Sequence, residues 1–476
     1  MTITFNEEEF YRAHLARDPR FDGKFFVAVK TTMIYCRPTC PARKAKLKNL
    51  KFFIHAAQAE QAGFRPCLRC RPEAAPGSPA WIGTTSIVQR AIRMMDYFAV
   101  EGLSIKDIAE KLEVGERWLR GLFQEQVGAT PQAILLSKKL DIARNLLDNS
   151  ALSITDIAFS SGFQSIRRFN DAFKMRFKKP PNAFRLEPVP AGKICLQLSY
   201  RPPYAWDSII HFLSDRAITG VELIERNSYQ RLITYGEARG WFQAKHIENN
   251  KIEFKIKLSK NTNILELIAR LKNIFDLDAD PMAIEHDLKK DKKLKPFLAL
   301  SQHSGLRVAG CWDGFELAVR AIVGQKISVK AARTVLNRIV NRCGEKQNLD
   351  TSLKLEYFFP TAKNILEADL SNIGLTVSKI ETLKSFALAV ENKTLTLDGT
   401  ECFEETCQKL LSIKGVGLWT VEYIAMRALK NPDAFPETDL ELQKKILFFK
   451  LNPKNWIPWR AYGAILLWHI KMGSKT

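Results

Sequence analysis

The chain reads as a multidomain α+β protein: a small zinc domain, an all-α double helix-turn-helix domain, an antiparallel β-sheet/helix domain, and an all-α domain built on a helix–hairpin–helix. Three observations predict this. Four of the nine cysteines fall within the first 70 residues. A seven-residue stretch recurs almost unchanged 49 residues further on. Past residue 193, two-residue alternation gives way to helical periodicity that runs into a Gly-x-Gly turn. A length of 476 residues leaves room for three or four such domains.

The net charge of +21 makes a polyanion the first expected partner. No apolar run of about 18 residues is present, and Met1–Phe10 carries three glutamates, so neither a membrane span nor a secretion signal is expected. The expected setting is cytoplasmic and reducing, where nine cysteines should stay free of disulfides.

Cys36 and Cys40 are separated by three residues, Cys67 and Cys70 by two, with 26 between the pairs. That is the spacing of a four-thiolate zinc site. Zinc with four thiolates keeps its sulfurs deprotonated and nucleophilic without a general base. The stretches Phe26–Thr32, Tyr35-Cys36-Arg37-Pro38-Thr39-Cys40 and Ala62–Cys70 resemble the N-terminal domain of the Ada-type methyl-acceptor proteins. The resemblance implies that Cys36 takes a methyl group irreversibly from a methylphosphotriester, and that Arg43 contacts phosphate. Spacing alone does not choose among the four. Methylation would remove one negative charge from the site and so raise its affinity for DNA.

Ala74–Pro79 reads as a linker. Leu103-Ser104-Ile105-Lys106-Asp107-Ile108-Ala109 then recurs as Leu152-Ser153-Ile154-Thr155-Asp156-Ile157-Ala158. Each copy offers a serine cap, an amphipathic helix, a turn and a second helix with basic residues. Two helix-turn-helix units joined by a helix around Ile134–Leu147 resemble the AraC-type DNA-binding domain, whose second-unit signature fits Phe163, Arg168, Phe169, Phe173, Phe177 and Pro180. Arg117, Trp118 and Arg120 from one recognition helix, and Ser165, Arg167, Arg168 and Asn170 from the other, are expected to face DNA.

After a second linker at Pro188–Gly192, strands are expected at Lys193–Tyr200, Gly220–Arg226, Tyr229–Tyr235, Arg239–His246 and Lys251–Leu258. Tyr200–Trp206 and Gly236–Gly240 resemble the N-terminal domain of AlkA-type 3-methyladenine glycosylases. That match places Phe212 at a base pocket.

Near the end, Leu410–Ile413, Lys414-Gly415-Val416-Gly417 and the helix from Leu418 read as a helix–hairpin–helix, whose consecutive N–H groups suit a phosphate. The hairpin resembles that of the helix–hairpin–helix DNA glycosylases, in which a catalytic aspartate follows some two dozen residues on. Asp439 lies 24 residues after Gly415. Members that attack the sugar with lysine carry it two residues after the second glycine, and Trp419 stands there, which disfavours a lyase of the 8-oxoguanine type. Asp439 is therefore expected to act alone, stabilising positive charge on the sugar. Such chemistry suits an alkylated base that is already cationic, held by electron-rich rings: Trp419, Tyr423 and the Trp456–Tyr462 cluster with Trp459.

Arg307–Glu316, Ala321–Val329 and Ile457–Tyr462 extend the AlkA-type resemblance. By it Gln325, Lys326, Lys414, Gly415 and Gly417 contact DNA. Two departures stand out. Lys326 replaces an apolar wedge, which should narrow the range toward poorly stacked lesions, and Leu440 replaces a pocket tyrosine. No Pro-Cys-His-Arg stretch marks an alkylguanine acceptor, so reversal of guanine alkylation is not expected.

The expected domains are 1–78 (zinc methyl-acceptor), 80–188 (double helix-turn-helix), 192–275 (sheet) and 276–476 (helix–hairpin–helix glycosylase). The expected function is a damage response protein: a monofunctional glycosylase for alkylated bases joined to a methyl-accepting transcription activator. The alternative is a methylation-switched regulator whose glycosylase domain only grips DNA. Expected partners are double-stranded, alkylated and promoter DNA and RNA polymerase, with no membrane and a monomeric state. One Zn2+ and a monovalent cation at the hairpin are the expected ions, with no organic cofactor.

Overall fold

The computed structural model describes residues 7–67, 69, 70, 72, 75, 86–98, 104–150, 152–184, 194–260, 264–349 and 353–470. Apart from Ala75, the two expected linkers lie outside them. The chain divides into two compact units, Met1–Pro202 with Ile247–Ala269 and Leu277–Ala279, and Pro203–His246 with Arg270–Asp276 and Asp280–Thr476.

The chain begins with α1 (Glu7–Ala16), β1 (Phe26–Val29), β2 (Ile34–Cys36), β3 (Leu50–Phe53), α2 (Ala56–Gln61) and β4 (Arg65–Pro66). The four strands form one sheet in the order β3-β1-β2-β4. β1 pairs antiparallel with β2, Val27 opposite Cys36, and β2 runs parallel to β4, Tyr35 opposite Pro66. Aromatic and branched residues fit this small pleated sheet, and Phe25, Val27, Ala28 and Tyr35 are completely buried.

Six helices follow: α3 (Ser86–Phe98), α4 (Ile105–Lys111), α5 (Glu116–Gln126), α6 (Pro131–Asn149), α7 (Ile154–Ser160) and α8 (Ile166–Phe177). The sequence repeat is a structural repeat. Ser104 accepts from the Asp107 N–H and Ser153 from the Asp156 N–H, each as one half of a capping box. Both turns then use a left-handed residue, Glu113 at φ 57° and Gly162 at φ 84°. Both close with the same bond, Val114 N–H to Ala109 and Phe163 N–H to Ala158. α6, broader than the expected 134–147, joins the units and opens on Thr130, which accepts from Ala133.

Next come β5 (Ile194–Ser199), α9 (Trp206–Arg216), β6 (Glu222–Glu225), β7 (Ser228–Tyr235), β8 (Ala238–Ile247) and β9 (Lys251–Leu258). All five expected strands are present, within two residues of their expected ends. In the first unit β5 pairs antiparallel with β9 from Ile194–Ile256 to Ser199–Lys251. In the second, β6, β7 and β8 form a meander. A buried ion network of Glu222, Arg231, Glu316 and Arg320 pins it to the helices: Arg231 Nη2 lies 2.7 Å from Glu316 and Arg320 Nη2 lies 2.6 Å from Glu222.

The remaining helices are α10 (Ile264–Phe275), α11 (Pro281–Leu288), α12 (Lys295–Leu298), α13 (Gly314–Gly324), α14 (Val329–Cys343), α15 (Ala362–Glu367), α16 (Val377–Glu391), α17 (Phe403–Ser412), α18 (Leu418–Arg427), α19 (Leu440–Phe449) and α20 (Arg460–His469). α13 is apolar on nearly every side. Ala318, Val319, Ile322 and Val323 are essentially fully buried and share one core with Leu383 and Phe386 of α16 and Val421 and Ile424 of α18. That core also takes in Leu410 and Val416 of the α17–α18 hairpin and Val335, Leu336, Ile339 and Val340 of α14.

Candidate active site and metal centre

β2 ends on Cys36, and its parallel pairing with β4 sets Cys67 beside it; the Cys67 N–H donates to the Tyr35 carbonyl at 2.9 Å. Cys40 returns through a turn closed by its own N–H to the Arg37 carbonyl. The four Sγ atoms all lie within 4.8 Å of one another. A tetrahedral zinc with bonds of about 2.3 Å needs sulfurs about 3.8 Å apart, so the donor set and its size fit the metal. Cys36 and Cys40 are buried, Cys67 and Cys70 half-buried. The Arg37 N–H donates to Cys70 Sγ at 3.3 Å. Hydrogen bonds shared among the four thiols raise Cys36 and Cys70 and lower Cys40 and Cys67. Arg43, three residues after Cys40 in the chain, is exposed.

On α5, Leu119 and Phe123 are buried while Arg117, Trp118 and Arg120 face outward, Arg120 paired with Glu116. On α8, Phe169, Phe173 and Phe177 are buried while Arg167, Arg168 and Asn170 are exposed. Both helices therefore expose these basic residues, whereas Ser165 is the half-buried N-cap of α8 and accepts from the Arg168 N–H. The structure adds Arg176, a buried cation on α8.

In the second unit Asp439 is the N-cap of α19. Its Oδ1 accepts from the Glu441 and Leu442 N–H groups, each at 3.0 Å. Trp419 Nε1 donates to Oδ2 at 3.0 Å, and Trp468 Nε1 lies 3.5 Å from Oδ1. The backbone donors of a helix N-terminus thus fix the carboxylate's orientation. Trp419 stacks on Tyr423 at 5.2 Å, and Tyr423 leans on Trp468 at 6.4 Å. Arg427 donates to the Tyr423 hydroxyl at 2.6 Å and is itself fixed by the Ala309 and Gly310 carbonyls. Burial pushes the Tyr423 phenol up, but the guanidinium groups of Arg427 and Arg216 outweigh it and hold it below the ordinary tyrosine value. Phe212 joins the same cluster with Arg216 at 3.8 Å and Arg427 at 4.8 Å from its ring centre.

Asp439, Trp419, Tyr423 and Phe212 are therefore brought together. Trp459 has other partners, including Asp287, which accepts from its Nε1 at 2.9 Å, and Tyr462. Trp468 and Arg427 belong to the Asp439 cluster without having been marked by any spacing. Trp468 directly follows the apolar run Ala464–Leu467 of α20 and Arg427 ends α18, positions where a core residue and a C-terminal cation are equally ordinary.

The hairpin separates its two glycines by role. Gly415 has φ 91°, and a Cβ there would lie 2.1 Å from Thr382 Oγ1. At Gly417 a Cβ would meet nothing within 4 Å, so among the described residues no neighbour demands a glycine. Gln325 ties the turn after α13 to the hairpin through the Gly415 carbonyl at 3.0 Å and Thr420 Oγ1 at 2.8 Å. Lys379 Nζ caps the same turn through the Val323 and Gln325 carbonyls. Lys326 stands exposed at its tip with φ 58°, as does Lys414 on the hairpin.

Three family models match: the metal binding domain of Ada over residues 9–73, a helix-turn-helix domain over 108–187 and the AlkA N-terminal domain over 195–313. The chain is 34% identical over 478 residues to "Probable bifunctional transcriptional activator/DNA repair enzyme AlkA" of Mycobacterium tuberculosis, covering 97% of this chain and 96% of that one. It is 30% identical to "DNA-3-methyladenine glycosylase 2" of Escherichia coli over 57% of this chain and 96% of that one. "Bifunctional transcriptional activator/DNA repair enzyme Ada" of Escherichia coli is 33% identical over 33% of this chain and 43% of its own length. With that near end-to-end match, an Ada-type cysteine cluster and a helix–hairpin–helix carboxylate site in one chain, the protein belongs to the family of bifunctional transcriptional activator/DNA repair enzymes of the AlkA type.

Proposed function

We propose that the protein is a monofunctional DNA glycosylase for alkylated bases of the 3-methyladenine type, fused to a zinc-thiolate methyl acceptor that controls a double helix-turn-helix activator. The observation that carries the enzyme reading is the bond from Trp419 Nε1 to Asp439. The position that would hold a lysine nucleophile holds an indole that orients the carboxylate instead.

A base flipped into the cluster meets the rings of Trp419, Tyr423 and Trp468. As the bond between C1′ and the base nitrogen breaks, its electron pair leaves with the base and neutralises an alkylated, cationic ring. Positive charge grows on the sugar. Asp439, already fixed by two backbone N–H groups, faces that charge without reorganising and orients the water that adds to C1′. The surface at Gly417 leaves a hairpin N–H accessible for a DNA phosphate, with Lys414, Lys326 and Gln325 beside it.

At the other site Cys36 is the acceptor. Its sulfur forms a bond to the methyl carbon, the carbon–oxygen bond of the methylphosphotriester breaks, and the phosphodiester departs with the electron pair. When bound, zinc keeps the four sulfurs deprotonated. Arg43 holds the phosphate, and the S-methylated site, one negative charge poorer, binds DNA more tightly. Arg117, Arg120, Arg167 and Arg168 engage promoter DNA, with RNA polymerase the partner that reads the bound activator.

Incubation with methylated duplex DNA followed by borohydride tests the reaction class. Free base and intact abasic strands with no trapped protein–DNA adduct are expected. A trapped adduct would assign a lyase and overturn the role given to Trp419.

A further inference from the structure

The zinc domain is not a bead beside the helix-turn-helix units. Ala57 of α2 is 4% exposed and lies in the same core as Val88, Met94, Ile108, Leu119 and Phe123 of α3–α5. A Cβ on Gly128, just past α5, would lie 1.9 Å from Gln58 Nε2 of α2. The first unit is thus packed on α2 by shape.

The second unit is joined by charge. Arg176 of α8 is 7% exposed. Its Nη2 lies 2.7 Å from Glu60 of α2, 2.6 Å from Asp141 of α6 and 3.2 Å from the Tyr35 hydroxyl. Its Nη1 donates to the Ser137 carbonyl at 2.9 Å. The Tyr35 hydroxyl donates in turn to Glu60 at 2.6 Å. Tyr35 is fully buried, directly precedes Cys36, and accepts the Cys67 N–H at its carbonyl. One short path runs from two metal-binding cysteines through a single tyrosine to the helix that presents Arg167 and Arg168. A guanidinium with this many partners has little freedom, because any shift leaves a buried charge unpaired.

We propose that Arg176, Glu60 and Tyr35 are positioning residues that lock the Cys36 strand to α8, so that the methyl acceptor and the second recognition helix meet DNA as one body. The proposal rests on the reading of Cys36 as acceptor and α8 as DNA-reading helix, and adds where the affinity gained on methylation is delivered. Methylation lowers the repulsion at one fixed distance from α8, so the gain appears on DNA that α8 also fits. With the lock cut, Cys36 still accepts a methyl group, but the gain no longer favours one sequence.

The variants are chosen to spare the fold. Glu60→Ala and the double variant Tyr35→Phe with Glu60→Ala cut the link on the zinc side, while Arg176 keeps Asp141 and Ser137 within its own helices. The full-length zinc protein is methylated at Cys36 on a duplex carrying a single methylphosphotriester. A duplex is then selected from a random-sequence pool with the methylated wild type, and affinities for it and for a scrambled duplex are compared before and after methylation. Wild type should gain on the selected duplex over the scrambled one. The double variant should take up one methyl group per chain, retain zinc, and lose most of that sequence-dependent gain, on the order of tenfold. An equal gain in both proteins overturns the coupling. No gain in wild type overturns the switch on which it rests, and no methyl uptake by wild type overturns the acceptor reading. Failure of only the variants to retain zinc or take up methyl would also overturn the proposal, because it would give the three residues a role in building the metal site rather than in linking it to α8.

Discussion

Trp419 Nε1 lies 3.0 Å from Asp439 Oδ2, so the residue proposed to stand in place of a lysine nucleophile donates a hydrogen bond to the carboxylate. Replacing Trp419 with Phe keeps a ring against Tyr423 and removes only the donor. The loss of a hydrogen bond to a charged group is worth about 1.5–3 kcal/mol, so kcat for base release should fall about tenfold or more with little change in KM. Single-turnover release rates check this. An unchanged rate would mean that Asp439 is oriented by its backbone donors alone.

The hairpin glycines should separate stability from binding. Gly415→Ala forces a side chain into Thr382 at a left-handed φ and should cost about 1–3 kcal/mol of folding stability. Gly417→Ala meets open space, so stability should move by less than about 0.5 kcal/mol while affinity for duplex DNA drops. Thermal melts beside binding isotherms check both; a Gly417→Ala protein with unaltered DNA affinity would remove the hairpin from the DNA contact.

Glu222 yields the pH dependence. Burial pushes its carboxyl up, and Arg320, Arg231 and the Tyr229 hydroxyl more than offset this, holding it at about 2. The depressed value means that its contribution is fully present above the ordinary glutamate pKa near 4.3 and is lost as pH falls toward about 2, about 3 kcal/mol in all. Glu222→Gln should therefore be less stable than wild type at pH 7, and the gap should close on acidification. Tryptophan fluorescence of the full chain in urea at several pH values tests this, and a gap that persists at low pH would contradict it.

Removal of zinc should act on the first unit. The sheet β1–β4 is small, a bound zinc would join its two cysteine pairs, and Ala57 lends the α3–α5 core part of its packing. Chelation should abolish methyl uptake and lower the affinity for non-alkylated duplex DNA, while base release continues. Loss of base release on chelation would contradict the separation of the two chemistries.

Lys326 stands exposed at the tip of the turn that Gln325 and Lys379 hold. Lys326→Leu should raise the release rate for well-stacked lesions more than for poorly stacked ones. Equal effects on both would show that the wedge position does not set the substrate range.

Much of this architecture is legible in the chain because it is written locally. Ser104 and Ser153 repeat the same cap 49 residues apart, period-two alternation marks β5 to β9 to within two residues, and the cysteine spacing marks the metal site. Side-chain partnerships between distant segments are written nowhere in particular. Trp459 and Trp468 are both aromatics in an apolar stretch, and only the approach of α20 to the start of α19 brings Trp468 to Asp439. Arg176 follows the same logic: one cation among several on α8, it becomes distinctive only when Glu60 and Tyr35 arrive from a different domain. Phe212 was reachable by resemblance, but not the two arginines that flank it.

Base excision by Asp439, independent of Cys36, is tested most directly by release of free base from methylated duplex DNA by wild type, Asp439→Asn and Cys36→Ala. Wild type and Cys36→Ala should release base, and Asp439→Asn should release it several orders of magnitude more slowly with DNA affinity preserved. Equal release by Asp439→Asn, or none by wild type with its DNA binding intact, would contradict excision by Asp439 and leave a methylation-switched regulator that only grips DNA.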